Sequence, residues 1–166
     1  MAIETVASRP RRMGRRRLLA SGAAVLATAR GASADEDDAA ARHDARLPRS
    51  APTLFYVSAP DCPYCTKWNH VFRASFEASD VRDRLRFVPL ATRSVRVGWS
   101  NSEVWPTDSR WVWTELERRQ IRHVVPLFVL VQKGAYLASM TGYDQNSDYG
   151  WAGGFYGQVL RSVGMA

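Results

Sequence analysis

At 166 residues the chain is long enough for one domain with its own core and short for two. Its formal charge of +7 sits at one end: residues 1–34 carry seven arginines and one acid, whereas residues 35–166 carry 16 basic and 15 acidic side chains. A nucleic-acid binder needs positive charge on its folded body, where it displaces counterions, so the near-neutral body argues against that class.

The N-terminus has the pattern of an export signal. A basic stretch, Arg9 to Arg17, precedes a weakly apolar run from Leu18 to Ala29 and the small residues Ala32-Ser33-Ala34. The run is too short to span a hydrocarbon core of ~30 Å. Arg15-Arg16-Arg17-Leu18-Leu19 resembles a twin-arginine signature. The expectation is therefore a signal peptide over residues 1–34, cleaved after Ala34, with no retained membrane span and a periplasmic destination. Residues 35–52, with an acidic start at Asp35 and prolines at Pro48 and Pro52, read as a linker and loosely held segment. Residues 53–166 form the domain.

The domain opens with Leu54-Phe55-Tyr56-Val57, whose aromatic and β-branched residues suit a buried strand. Ser58 to Asp61 make a turn into Cys62. From Pro63 to about Ser79 the apolar residues Tyr64, Trp68, Val71, Phe72 and Phe76 recur at helical spacing, and Pro63 suits a first helical turn. Leu85 to Leu90 predict a second strand. Residues 93–106 are irregular, and a helix follows from about Ser109 to Gln120, with Thr107-Asp108 as a candidate cap. Val124 to Val131 is an apolar strand that opens at Pro126. Lys133-Gly134 turns it into a partner strand over 136–140. Asp148 to Val163 can form a last helix, although four glycines weaken it. The order strand, helix, strand, helix, hairpin, helix predicts an α/β domain with a mixed central sheet flanked by helices.

The only two cysteines, Cys62 and Cys65, are separated by two residues. A bridge that short closes almost no loop, so it is poorly placed for stability and well placed for chemistry. At the start of a helix, Cys62 lies near unpaired N–H groups and the positive end of the helix dipole, which favour its thiolate. The thiolate is the form that attacks a disulfide, and Cys65 can then resolve the mixed disulfide. Cys62 is thus the candidate nucleophile and Cys65 the resolving thiol. The negative charge of Asp61 opposes thiolate formation if it lies close. A zinc site needs about four ligands, and here it would require His70 and His123 to converge on the cysteine pair; no metal and no cofactor is expected. The tryptophans Trp99, Trp105, Trp111 and Trp113 read as packing, and Arg118, Arg119 and Arg122 as a solvated helix face.

Cys62-Pro63-Tyr64-Cys65, followed some sixty residues later by Val125-Pro126, resembles the thioredoxin superfamily over roughly residues 53–163. The resemblance implies the thioredoxin fold, a cis bond before Pro126, and substrate binding through Val125, Pro126, Pro63 and Tyr64. The usual Trp before the first cysteine is replaced by Asp61. Cys-Pro-Tyr-Cys itself resembles glutaredoxins and some periplasmic disulfide isomerases. Gly142-Tyr143-Asp144 and the aromatic last helix (Trp151, Phe155, Tyr156) resemble small exported thioredoxin-like proteins, some linked to bacterial sulfur oxidation, which keep partner thiols reduced. The implied activity is reduction of disulfides in exported partner proteins, supplied with electrons by a membrane partner. Two alternatives stand beside it: a glutathione-dependent glutaredoxin-like enzyme, and a non-catalytic binding module or metal carrier.

Overall fold

The computed structural model describes residues 42–166; the expected signal segment and residues 35–41 of the expected linker lie outside the described residues. The elements are β1 (Thr53–Ser58), α1 (Pro63–Val71), α2 (Arg73–Glu77), β2 (Arg86–Ala91), α3 (Arg110–Arg118), β3 (Leu127–Gln132), β4 (Ala135–Thr141) and α4 (Gly153–Ser162). Three-residue 3-10 turns occupy Arg82–Arg84, Ser102–Val104 and Thr107–Ser109.

The four strands form one sheet in the order β2-β1-β3-β4. β1 and β2 run parallel, joined by the crossover through α1 and α2, while β3 is antiparallel to both β1 and β4. Strand alternation divides the core into two faces. Leu54, Tyr56, Phe128 and Leu130 point to one face, where Trp68, Phe72 and Phe76 of the α1–α2 segment and Phe155 and Val159 of α4 cover them. Phe55, Val57, Leu127 and Val129 point to the other, under Val112 and Leu116 of α3 and under Trp99 and Trp105 of the connection after β2. Fully burying a side chain of the size of Leu or Phe contributes roughly 1.5–3 kcal/mol, so these two layers carry most of the stability.

Three sequence expectations are corrected. The single helix expected over 63–79 breaks at Phe72, the C-cap of one helix and the N-cap of the next. Its buried stripe is Cys65, Trp68, Phe72 and Phe76, spaced three, four and four residues apart. Tyr64 and Val71 lie just off that stripe and are 61% and 53% exposed. The last helix starts at Gly153 instead of Asp148, because residues 144–150 turn back on themselves: the Asp144 N–H donates to the Gly150 carbonyl, and Gly150 has φ +71°. Residues 42–52, the described part of the expected loose segment, are held to the domain. Residues 42–46 are helical, Arg86 donates to the carbonyls of Leu47 and Pro48, and Ala51 is buried.

Of the tryptophans expected to pack around α3, Trp99 and Trp105 are buried, Trp113 is half-buried with its indole N–H donating to the Ser100 carbonyl, and Trp111, 37% exposed, stays outside the core. Arg118 and Arg119 are exposed and both reach Glu115, which holds its carboxyl down at about 2 through their hydrogen bonds.

Candidate active site

The site grows from the carboxyl end of β1. The strand stops at Ser58, Ala59-Pro60-Asp61 turn, and the Cys62 N–H donates back to the Ala59 carbonyl at 3.2 Å. Pro63 then takes the first position of α1, where a missing N–H costs nothing. Cys62 becomes the helix N-cap, with extended backbone angles and a sulfur that accepts the N–H of Cys65 at 3.1 Å. Cys62 and Cys65 are joined in a disulfide across Cα atoms 5.2 Å apart. Both are 1% exposed.

The segment entering β3 supplies the opposite wall. Val125 is buried and its carbonyl oxygen stands 3.5 Å from Cys62 Sγ. The Val125–Pro126 peptide is cis, and the Pro126 carbonyl accepts the N–H of Gly142 beyond the end of β4. Beneath the cysteines, the Tyr56 hydroxyl donates to the Cys65 carbonyl at 3.4 Å, and burial pushes its own pKa up to about 12. That phenol is therefore neutral across the physiological range.

The structure thus brings together four of the six residues expected to form the site: Cys62, Cys65, Val125 and Pro126. The other two, Pro63 and Tyr64, stand exposed on the outer side of α1. Tyr64 leans on Tyr143 with ring centroids 5.8 Å apart, and Lys67 lies 5.7 Å above the Tyr143 ring. Val124, 43% exposed, borders the approach to Val125. Among the described residues no three His, Cys, Asp or Glu side chains gather as a metal site. His123 instead pairs with Glu117 at 2.9 Å and packs edge-on against Trp99.

Sequence reasoning missed the part played by residues 92–100. After β2 the chain folds over the side of the site and is pinned at several points. The Thr92 N–H donates to the Ser58 carbonyl, the Val95 N–H donates to Asp61 Oδ1 at 2.7 Å, and the Trp99 indole donates to the Arg122 carbonyl at 2.7 Å. Gly98 lies against the backbone carbonyl of His123. A cavity of about 320 Å³ opens beside this connection, lined by Thr92, Arg93, Asn101 and Glu103 among others. The signal available in sequence was the glycine and tryptophan at 98 and 99, in a stretch with no regular periodicity.

No protein-family model matches the chain, and no curated protein matches it. Among solved structures it is similar to the reduced form of the periplasmic thioredoxin SoxS from Paracoccus pantotrophus, at 18% identity over 69% of this chain and 97% of that one, with a TM-score of 0.42. It is similar to the thioredoxin Mala s 13 of Malassezia sympodialis at 13% identity, over 69% and 79% of the two chains, with a TM-score of 0.42. A third likeness is to the oxidoreductase DsbH, at 16% identity over 96% of each chain, with a TM-score of 0.39. By its own strand order, its parallel β1–β2 crossover, its β3–β4 hairpin and the cysteine pair at the head of α1, the chain has the thioredoxin fold.

Proposed function

We propose that this chain is a thiol:disulfide oxidoreductase of exported proteins, with Cys62 as nucleophile and Cys65 as resolving thiol. The observation that carries the reading is the Cys62–Cys65 disulfide at the N-cap of α1, facing the Val125 carbonyl. In the reduced protein the Cys62 thiolate attacks one sulfur of a partner disulfide, and the other sulfur leaves as a thiolate. Cys65, giving up its proton, attacks Cys62 in turn and releases the second partner thiolate. The partner gains two electrons and two protons, and the pair returns to the bridged form. Val125 and Pro126 give the backbone edge against which a partner segment lies, and Pro63 and Tyr64 extend that surface.

The direction proposed is reduction of partners in the periplasm, with a membrane protein as electron donor. The basic, Ala-rich leader supports export. Among the described residues no helix is long and apolar enough to cross a membrane. Equilibration with defined glutathione or dithiothreitol buffers tests the direction. A potential near thioredoxin's value of about −270 mV is the expected result, whereas one near about −120 mV makes the protein an oxidant. A Cys65→Ser variant should trap a mixed disulfide with its partner, and Cys62→Ser should trap none. If the pair does not titrate as a reversible disulfide, the redox reading fails and the binding-module alternative replaces it.

A further inference from the structure

Asp61 immediately precedes the helix N-cap Cys62. A carboxylate there opposes a negative sulfur, because like charges a few ångström apart disfavour one another even at a partly solvated surface. The side chain is not free, however: Oδ1 accepts the Val95 N–H at 2.7 Å. Val95 is presented by the connection that Thr92 ties to β1 and that Gly98 and Trp99 tie to residues 122–123. One loop therefore bridges the residue before Cys62 and the segment leading to Val125.

The hydrogen-bond partners of the cysteine pair are neutral. Those in contact with the pair are the Cys65 N–H, the Val125 carbonyl and the Tyr56 hydroxyl, with Trp99, Val125 and Leu127 in the same apolar cluster; the cations Arg93 and Arg96 flank Val95 on the loop, and Lys67 stands on α1. His123 packs edge-on against Trp99 and is paired with Glu117. Asp61 is the acidic side chain adjacent to the reacting residue in the chain.

We propose that the Asp61 carboxylate and the Val95 N–H form a tuning pair, in which the loop's hydrogen bond draws the carboxylate's charge away from Cys62 and so sets its thiolate fraction. The inference rests on the redox reading of the cysteine pair and adds how its strength is set. Asp61 is a positioning residue; it acts on Cys62 through charge and through the loop.

The test is a thiolate titration of the reduced protein, by ultraviolet absorbance, together with its equilibrium against glutathione. Asp61→Asn removes the charge, so the titration midpoint should fall and the thiolate fraction at neutral pH rise roughly threefold to tenfold. The equilibrium should also move toward the reduced form, by a smaller factor, because only the thiolate share of the reduced pair is stabilised. Val95→Pro removes the N–H and leaves the carboxylate's charge undamped, so both readouts should move the opposite way. The double variant should match Asp61→Asn, because no carboxylate remains for the loop to damp. Single variants that shift in the same direction, or not at all, overturn the proposal and leave a merely structural loop. Should Val95→Pro not fold, added salt serves instead: it should lower the wild-type midpoint and leave Asp61→Asn in place, and equal salt responses overturn the proposal. A wild-type pair that fails to exchange reversibly removes the redox reading itself, and is recognised because the parent protein fails before any variant is compared.

Discussion

Tyr56 carries a phenol into the centre of the aromatic face of the sheet. Its ring packs against Trp68 at 4.5 Å and Phe128 at 5.0 Å, and its hydroxyl reaches the Cys65 carbonyl. Burial is the main reason its pKa rises to about 12, opposed by the positive charge of Arg73 and by the polar side chains of Ser58 and Asn69. The sign follows from linkage. The unfolded chain ionises this tyrosine near pH 10, whereas the folded chain keeps it neutral to about 12. The stability from burying the neutral phenol is therefore whole below pH 10 and is lost as pH rises from 10 toward 12. Tyr56→Phe should cost about 1 kcal/mol or less at pH 7, since the hydrogen bond is long. It should also flatten the fall in stability between pH 10 and 11.5. Denaturation of the oxidised protein at both pH values checks this, and an equally steep fall in the variant would assign the alkaline loss to other groups.

Elements whose pattern is local were legible in the sequence. The strands announced themselves through aromatic and β-branched runs, and the Cys-containing helix through its spacing of three and four. The position of Cys62 at a helix start followed from Pro63. What was not legible were contacts across distance. The bond from Val95 to Asp61 joins residues 34 apart, and neither residue type advertises it. The same holds for the irregular stretch 93–106, which turned out to be a wall of the site. That wall depends on Gly98, whose φ of +57° would strain any side chain and whose Cβ would collide with the His123 carbonyl. Gly134, at φ +74° in the β3–β4 turn, has open space around it. Gly134→Ala should therefore cost only the conformational penalty of about 1–2 kcal/mol. Gly98→Ala should cost more, because a backbone carbonyl must also shift. Urea denaturation of the two variants separates the terms, and equal losses would mean that the loop yields freely around residue 98.

For the molecule as a whole, a buried arginine ties the segment before β1 to the domain. Arg82 is 4% exposed and sits where three parts of the chain meet. Its guanidinium donates to Asp44 Oδ1 at 2.9 Å, to the Leu85 carbonyl at 2.9 Å and to Glu77 Oε2 at 3.2 Å, and lies 3.0 Å from His43 Nδ1. It thus fastens the segment before β1 to α2 and to the entry of β2. Composition alone made residues 35–52 look like a tether, because arginine-rich, alanine-rich and proline-containing segments usually are solvated. The distinction lay in a partner nearly forty residues away. Removing a buried charge that satisfies two carboxylates costs about 3–5 kcal/mol when all are enclosed. Asp44 and Glu77 keep some contact with water, with side chains 22% and 35% exposed, so Arg82→Met should cost about 2 kcal/mol, below that range. The same change should free residues 42–49, whose Arg42, Arg46 and Arg49 are trypsin sites. Limited tryptic digestion should cut there faster in Arg82→Met than in the parent, while the potential of the cysteine pair stays the same. Unchanged cleavage would mean that Arg86 and the burial of Ala51 hold the segment without Arg82. A shifted potential would mean that this anchor, on the far side of β1 from the disulfide, is mechanically coupled to it through the strand.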